Sequence, residues 1–213
     1  MAVKQGSDEW HRLRLGKFTA SRFSDMMANG RAKGTLGKAA ITYMWDKIAE
    51  RATNRPQDQI KAKALEWGHS NEDEARRMYC AYRECVVDET DFYLHPDYPD
   101  WIGGSPDALV GSDGGLELKC PERTRIHLQY LKDWENVPNE YKWQVQGLLW
   151  ITKRDWWDFA SFDPRPLKSR YQLCCYRIYP DKDMHDELDA RAKRIIELSQ
   201  SIIENLKERG IDF

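Results

Sequence analysis

Ser105-Pro106-Asp107-Ala108-Leu109-Val110-Gly111-Ser112-Asp113-Gly114-Gly115-Leu116-Glu117-Leu118-Lys119 places two short apolar runs on either side of a glycine-rich turn, the pattern of a β-hairpin. Side chains two apart on a strand share a face. Glu117 and Lys119 therefore point one way, while Leu118 points into the core and leaves its main-chain carbonyl available. With the turn centred on Asp113-Gly114, Asp107 is expected opposite residues 119–120, bringing its carboxylate to the face of Glu117 and Lys119. Two hard carboxylates and a carbonyl form part of a shell for Mg²⁺, which keeps several waters and takes phosphate oxygens from a substrate. Such an ion polarises a phosphodiester and lowers the pKa of bound water, which the neighbouring Lys can orient or deprotonate. Taken alone, the same residues also describe an exposed hairpin carrying a surface Asp and a Glu/Lys pair.

Upstream, Trp67-Gly68-His69-Ser70-Asn71-Glu72 puts His69 and Glu72 three apart on one helix face. Glu72 is a candidate third carboxylate for the same site. His69 is either a further ligand or a solvated bystander. Nearer the N-terminus, Trp10 to Ser21 (WHRLRLGKFTAS) mixes cations, hydroxyls and aromatics just ahead of a helix start. An Arg of this stretch offers a bidentate fork for a phosphate, and Ser21 and the first N–H groups of the helix add donors; a solvated amphipathic helix is the plain alternative. Two other motifs fail. Gly34-Thr35-Leu36-Gly37-Lys38-Ala39 lacks the spacing of an ATP-binding loop and has Ala39 where a hydroxyl belongs. Cys120 precedes Pro121 with no His nearby in sequence, which fits a buried thiol better than a nucleophile.

The chain of 213 residues is of single-domain size and is expected to form one domain over residues 1–213. At 41% hydrophobic and 32% charged, it falls outside the disordered, collagen-like and coiled-coil classes. No apolar run approaches the roughly 18 residues of a membrane span, and Met1–Gly16 is too charged for a signal peptide. Five cysteines without a C-x-x-C pair point to free thiols in a reducing compartment, the cytoplasm. Net charge is −2 but uneven: residues 1–65 hold 13 Lys and Arg against 6 Asp and Glu, whereas residues 66–117 hold 3 against 13. A basic first third and an acidic middle suit a protein that holds an anion with one part and a cation with another.

Periodicity and caps predict helices over Ser7–Leu15, Arg22–Ala28 (capped by Thr19 or Ser21), Ala39–Ala52 and 61–84, with a loop at Asn29–Lys38. In the 61–84 helix Leu65, Ala75, Met78, Tyr79 and Tyr82 are expected to face inward. Strands are predicted at Cys85–Leu94, Asp107–Val110 and Leu116–Lys119. After these come helices at Arg125–Trp134 and Asn139–Ile151, strands at Trp156–Phe162 and Tyr171–Tyr179, and a final helix over Asp183–Glu208. The order implies an α/β (α+β) fold, a mixed central β-sheet flanked by helices.

Six blocks in order, WHRLRLGKFTAS, AKALEWGHSNEDEAR (Ala62–Arg76), SPDAL (Ser105–Leu109), SDGGLELKCP (Ser112–Pro121), WQVQGLLWIT (Trp143–Thr152) and FASFDPR (Phe159–Arg165), resemble the phage lambda exonuclease, or YqaJ-type viral recombinase, branch of the PD-(D/E)XK nuclease superfamily. The resemblance implies a restriction-endonuclease-like core and digestion of one strand of duplex DNA in the 5′-to-3′ direction, leaving 3′ single-stranded tails for recombination. It implies Mg²⁺, with Mn²⁺ as a substitute and two ions per active site. It also implies a toroidal homotrimer, a single-strand annealing protein as partner, and phage or prophage origin in a bacterial cytoplasm. Residue by residue, Asp107, Glu117 and the Leu118 carbonyl look like metal ligands, with Glu72 contributing directly or through water. Lys119 looks like the residue that positions or activates the water, and Gln144 matches a family active-site glutamine. Arg14, Ser21 and Ser105 look like the pocket for a terminal 5′ phosphate, and Trp10 sits where the strands would part. Ala108 departs from the pattern, which has Gly there, and the role of His69 stays open. A sequence-tolerant endonuclease and a silent DNA-end-binding module are the alternatives; the clustered acids disfavour the second, since a binder gains nothing from carboxylates beside phosphates.

Overall fold

Ser7 starts the first helix, its hydroxyl accepting the Trp10 N–H at 3.2 Å. The computed structural model of the protein describes residues 6–32, 34–57, 62–88, 90–132 and 137–213, with the backbone alone at 62–66, 68 and 69. Helix α1 (Asp8–Arg14), strand β1 (Phe18–Thr19), and helices α2 (Phe23–Met26), α3 (Lys38–Thr53) and α4 (Ala62–Arg83) come first. Strands β2 (Val87–Asp88), β3 (Tyr93–Leu94), β4 (Ile102–Gly104), β5 (Ala108–Val110) and β6 (Gly114–Lys119) follow. Helices α5 (Thr124–Lys132) and α6 (Asn139–Thr152) then lead to strands β7 (Trp156–Phe162) and β8 (Leu173–Ile178) and the closing helix α7 (Lys182–Glu208).

The main sheet runs β2-β5-β6-β7-β8, and a smaller one runs β1-β4-β3. Within the main sheet β6 and β7 are parallel, because α5 and α6 carry the chain back between them, and the other pairs are antiparallel. Period-two alternation divides the strands between two hydrophobic clusters. Ala108, Val110, Leu116, Leu118, Ala160 and Phe162 pack with Ala75 and Tyr79 of α4. Leu109, Trp157, Phe159 and Tyr176 join Tyr130, Val145 and Leu148 of α5 and α6 on the other side. Leu188 and Ile195 of α7 complete that larger cluster.

The expected mixed sheet is present, with local differences. The predicted strand Cys85–Leu94 is two strands in two sheets: Val87 pairs with Val110 and Tyr93 with Gly104. Between them Thr90 donates to the Pro106 carbonyl at 2.9 Å, and Glu89 lies outside the described residues. Strand β4 has a Gly-Gly sequence of poor strand propensity, used because a Cβ on Gly103 would lie 2.3 Å from the Phe92 ring. Neither Thr19 nor Ser21 caps a helix; a 3₁₀ turn over Ala20–Arg22 leads into the four-residue α2. Residues 169–171 form another 3₁₀ turn, which delays β8 to Leu173. Tyr82 faces solvent, and the Leu65 side chain and the end of the predicted helix at Trp134 lie outside the described residues. All five cysteines are free, and among the described residues no helix is long and apolar enough to cross a membrane.

His95 is fully buried, its ring 3.9 Å from that of Trp150 and 5.1 Å from that of Tyr98. Burial lowers its pKa from 6.5 to about 4 and also lowers those of His127 and His185. Below about 6.5 the unfolded chain binds protons that these rings refuse, so stability is lost as pH falls from 6.5 towards 4. His95 alone accounts for about 3 kcal/mol of that loss by pH 4. Urea denaturation across this range is the check; a His95→Phe variant with the same pH slope as the parent would contradict it.

Candidate active site

Asp107 immediately precedes β5, and Glu117 and Lys119 close β6. Ala108 pairs with Leu116, so Asp107 falls opposite Glu117 and not opposite residues 119–120. The turn is centred on Ser112, because Gly114 and Gly115 belong to β6 itself. A Cβ on Gly114 would lie 2.1 Å from the Trp156 ring, and one on Gly115 would lie 2.3 Å from the Trp157 ring. These glycines admit the indoles of β7; Gly111, with φ +57°, serves the turn. The corrected register still brings the carboxylates together. Oδ2 of Asp107 accepts the Leu118 N–H at 2.7 Å, which pins this carboxylate against β6.

Lys119 Nζ and Gln144 Nε2 both donate to Oε1 of Glu117. Oε2 of the same carboxylate is buried and has no hydrogen-bond partner. Gln144 comes from α6, as does Tyr141 one turn earlier, whose ring centre lies 5.2 Å from Lys119 Nζ. Glu72 reaches in from α4, half-buried and salt-bridged to Arg76 at 2.9 Å, and its charge raises the pKa of both other carboxylates. Five of the expected residues thus converge: Glu72, Asp107, Glu117, Lys119 and Gln144. The backbone of His69 lies in α4, but its side chain is outside the described residues.

Burial, reinforced by the Glu117 charge, pushes Asp107 up to about 8. Burial also raises Glu117, against the pull of Lys119. For Lys119 desolvation is outweighed by Glu117 and Asp107, which hold it above the ordinary lysine range. The geometry shown is that of an ammonium donating to Glu117. A cation fits what remains: two crowded carboxylates with one buried oxygen unpartnered, beside the Leu118 carbonyl. Among the described residues no three His, Cys, Asp or Glu side chains converge closely enough to enclose an ion by themselves. Water and a substrate would have to supply the remaining ligands, the habit of Mg²⁺. Cys120, beside the cluster, is pushed up to about 12 by burial and the neighbouring acids, in keeping with a buried thiol.

Trp10, Arg14 and Ser105 also meet. The Trp10 indole N–H donates to Ser105 Oγ at 2.8 Å, and the Arg14 guanidinium lies 4.1 Å from the Trp10 ring and 5.8 Å from that of Phe92. Trp10 and Arg14 border a cavity of about 120 Å³ that Thr19, Lys47 and Glu50 also line, and Ser105 joins them through its bond to Trp10. Ser21 does not line it; its hydroxyl lies 3.4 Å from that of Thr19, and the helix N-terminus expected there is replaced by the 3₁₀ turn. Sequence reasoning misses Tyr141 and the buried Lys47–Glu50 pair at 2.8 Å, whose second carboxylate oxygen accepts the Gly16 N–H at 2.9 Å. The i,i+3 spacing of Lys47 and Glu50 on the apolar face of α3 is the signal that could have exposed the pair.

The YqaJ-like viral recombinase domain family model matches residues 9–155. The alkaline exonuclease LHK-Exo from Laribacter hongkongensis is 34% identical, with TM-score 0.84 over 95% of this chain and 97% of that one. Its structure in complex with dAMP aligns at 33% identity with the same TM-score and coverage. A phage related exonuclease from Haemophilus somnus 129PT shares the fold, at 14% identity and TM-score 0.70 over 89% of this chain and 96% of that one. No curated protein matches.

Proposed function

The chain belongs to the YqaJ-like viral recombinase domain family, and from that premise we propose that it is a Mg²⁺-dependent exonuclease degrading one strand of linear duplex DNA from its 5′ end. The observation that carries this reading is the half-buried Asp107 beside the buried Glu117, whose one carboxylate oxygen is held by Lys119 and Gln144 while the other is unpartnered. Asp107, Glu117 and the Leu118 carbonyl hold the divalent cations, Mg²⁺ or Mn²⁺, with Glu72 at the outer edge. What such an ion supplies when bound is Lewis-acid polarisation of the scissile phosphate and a lower pKa for its water.

The chain's own groups do the rest. Lys119 directs the attacking water towards phosphorus and answers the charge that develops on the phosphate oxygens. Gln144 and Lys119 occupy one oxygen of Glu117 and so turn the other towards the reacting centre. Arg14, Ser21 and Ser105 receive the terminal 5′ phosphate, and Trp10, tied to Ser105, marks where the strands part. In this reading the chain is one nuclease domain working as a toroidal homotrimer in the bacterial cytoplasm, handing 3′ tails to an annealing protein of the same phage system.

Linear duplexes labelled on either strand and bearing 5′-phosphate or 5′-hydroxyl ends test the reading. Loss of the 5′-ended strand alone, dependent on Mg²⁺, is expected; linearisation of a nicked circle before any shortening would overturn it. Arg14→Ala is expected to reduce the preference for 5′-phosphorylated ends by about tenfold, because the contact it removes is charge-assisted. An equal loss on both kinds of end would make Arg14 a general or structural contact.

A further inference from the structure

Two stretches beside the carboxylate cluster carry cations and no acids. Residues 123–132 and 164–171 contain Arg123, Arg125, Lys132, Arg165, Lys168 and Arg170 but neither Asp nor Glu, in a chain of net charge −2. Arg165 is committed to structure. It pairs with Asp163, donates to the Glu122 and Pro121 carbonyls at 2.9 and 3.1 Å, and lies 4.5 Å from the Trp67 ring. The other five are exposed. The two stretches form one surface, because His127 on α5 bonds the Tyr171 carbonyl at 2.8 Å. Its second ring nitrogen bonds Ser161 Oγ at 2.8 Å, and Ser161 is the β7 partner of Lys119. The surface therefore borders the same end of the sheet as the carboxylates.

It is not merely charged. Leu128, Leu167 and Tyr171 are 50%, 103% and 45% exposed, and the Arg170 guanidinium lies 4.9 Å from the Tyr171 ring. Leu167 does not hang on a slack loop, since Gln172 donates to two carbonyls just ahead of it, those of Pro164 and Pro166, at 2.9 Å each. Cations answer phosphates in any nucleic acid. Exposed apolar groups and a stacked Arg–Tyr pair answer base faces, which only an unpaired strand presents. We propose that α5 and the 164–171 loop form a binding surface for single-stranded DNA beside the active site. The inference rests on reading the chain as a nuclease.

The test is fluorescence anisotropy of a labelled oligothymidylate, about 20 nucleotides long, in EDTA to prevent cleavage. The triple variant R123E/K168E/R170E is expected to bind at least about tenfold more weakly and to lower the slope of log affinity against log salt by about 2. Tyr171→Ala is expected to lose about tenfold and Tyr171→Trp to retain binding, while Arg209→Glu at the far end of α7 changes nothing. Unchanged affinity and salt slope in a folded triple variant would overturn the proposal. So would a fall in its mass by light scattering, which would make this face a subunit contact. If the parent protein cleaves duplexes and the variants bind like the parent, this inference alone fails. If the parent cleaves nothing while the variants lose binding, the nuclease reading fails and the surface stands.

Discussion

Asp107→Asn is expected to bring DNA hydrolysis below detection, and Lys119→Ala to slow it by about 10²–10⁴-fold, with both proteins folded. The asparagine keeps the shape of Asp107 and an acceptor for the Leu118 N–H, so the strand ends stay in place while the charge is lost. Lys119→Ala removes the ammonium that Glu117 and Asp107 hold in its charged form, but leaves both carboxylates to bind cations. Metal affinity and turnover should therefore separate: Asp107→Asn loses both, whereas Lys119→Ala loses turnover alone. Single-turnover cleavage with calorimetric titration of Mn²⁺ distinguishes them. Near-parental cleavage by folded Lys119→Ala would remove this residue from the reaction.

Asp158→Asn is expected to cost about 3 kcal/mol of stability. This carboxylate is fully buried in β7 and accepts from Tyr79 at 2.9 Å and from Arg177 through two bonds of 2.9 Å, with Arg83 at 3.0 Å. The variant leaves two guanidiniums facing a neutral amide. Water reaches both, since their side chains are 27% and 35% exposed, which places the cost at the low end for a broken buried pair. Tyr79 and Arg83 belong to α4 and Arg177 to β8, so Asp158 ties to the sheet the helix that brings Glu72 to the active site. A urea midpoint corresponding to less than about 1 kcal/mol of loss would show that packing alone holds α4.

Strand β7 is legible from the sequence to its last residue, because its aromatic run stands between clear breaks. The Asp107–Glu117–Lys119 cluster is legible too, since a hairpin is local and strand alternation survives an error of register. The register itself is not legible. Gly114 and Gly115 look like turn glycines, and their actual purpose, room for Trp156 and Trp157, depends on a strand far along the chain. Asp158 is hidden for a similar reason: its partners come from α4 and β8, and within WWDFASF it reads only as a polar residue. Gln144 is named through the family pattern, whereas Tyr141, one turn away, carries no local mark. Strand β4 escapes notice because its two glycines answer a packing demand from Phe92 that no propensity records.

The parallel pairing of β6 with β7 bears on how the chain survives its own synthesis. β6 meets its hairpin partner almost at once, but β7 leaves the ribosome about 40 residues later. During that interval β6 is an open edge presenting Leu116 and Leu118, a template on which another nascent chain could pair. Natural edges are blunted by charges. Glu117 and Lys119, alternating with those leucines, put one acid and one base on the edge until β7 covers it, the kind of charge that discourages edge-to-edge pairing, so the residues of the candidate site also suit an unfinished edge.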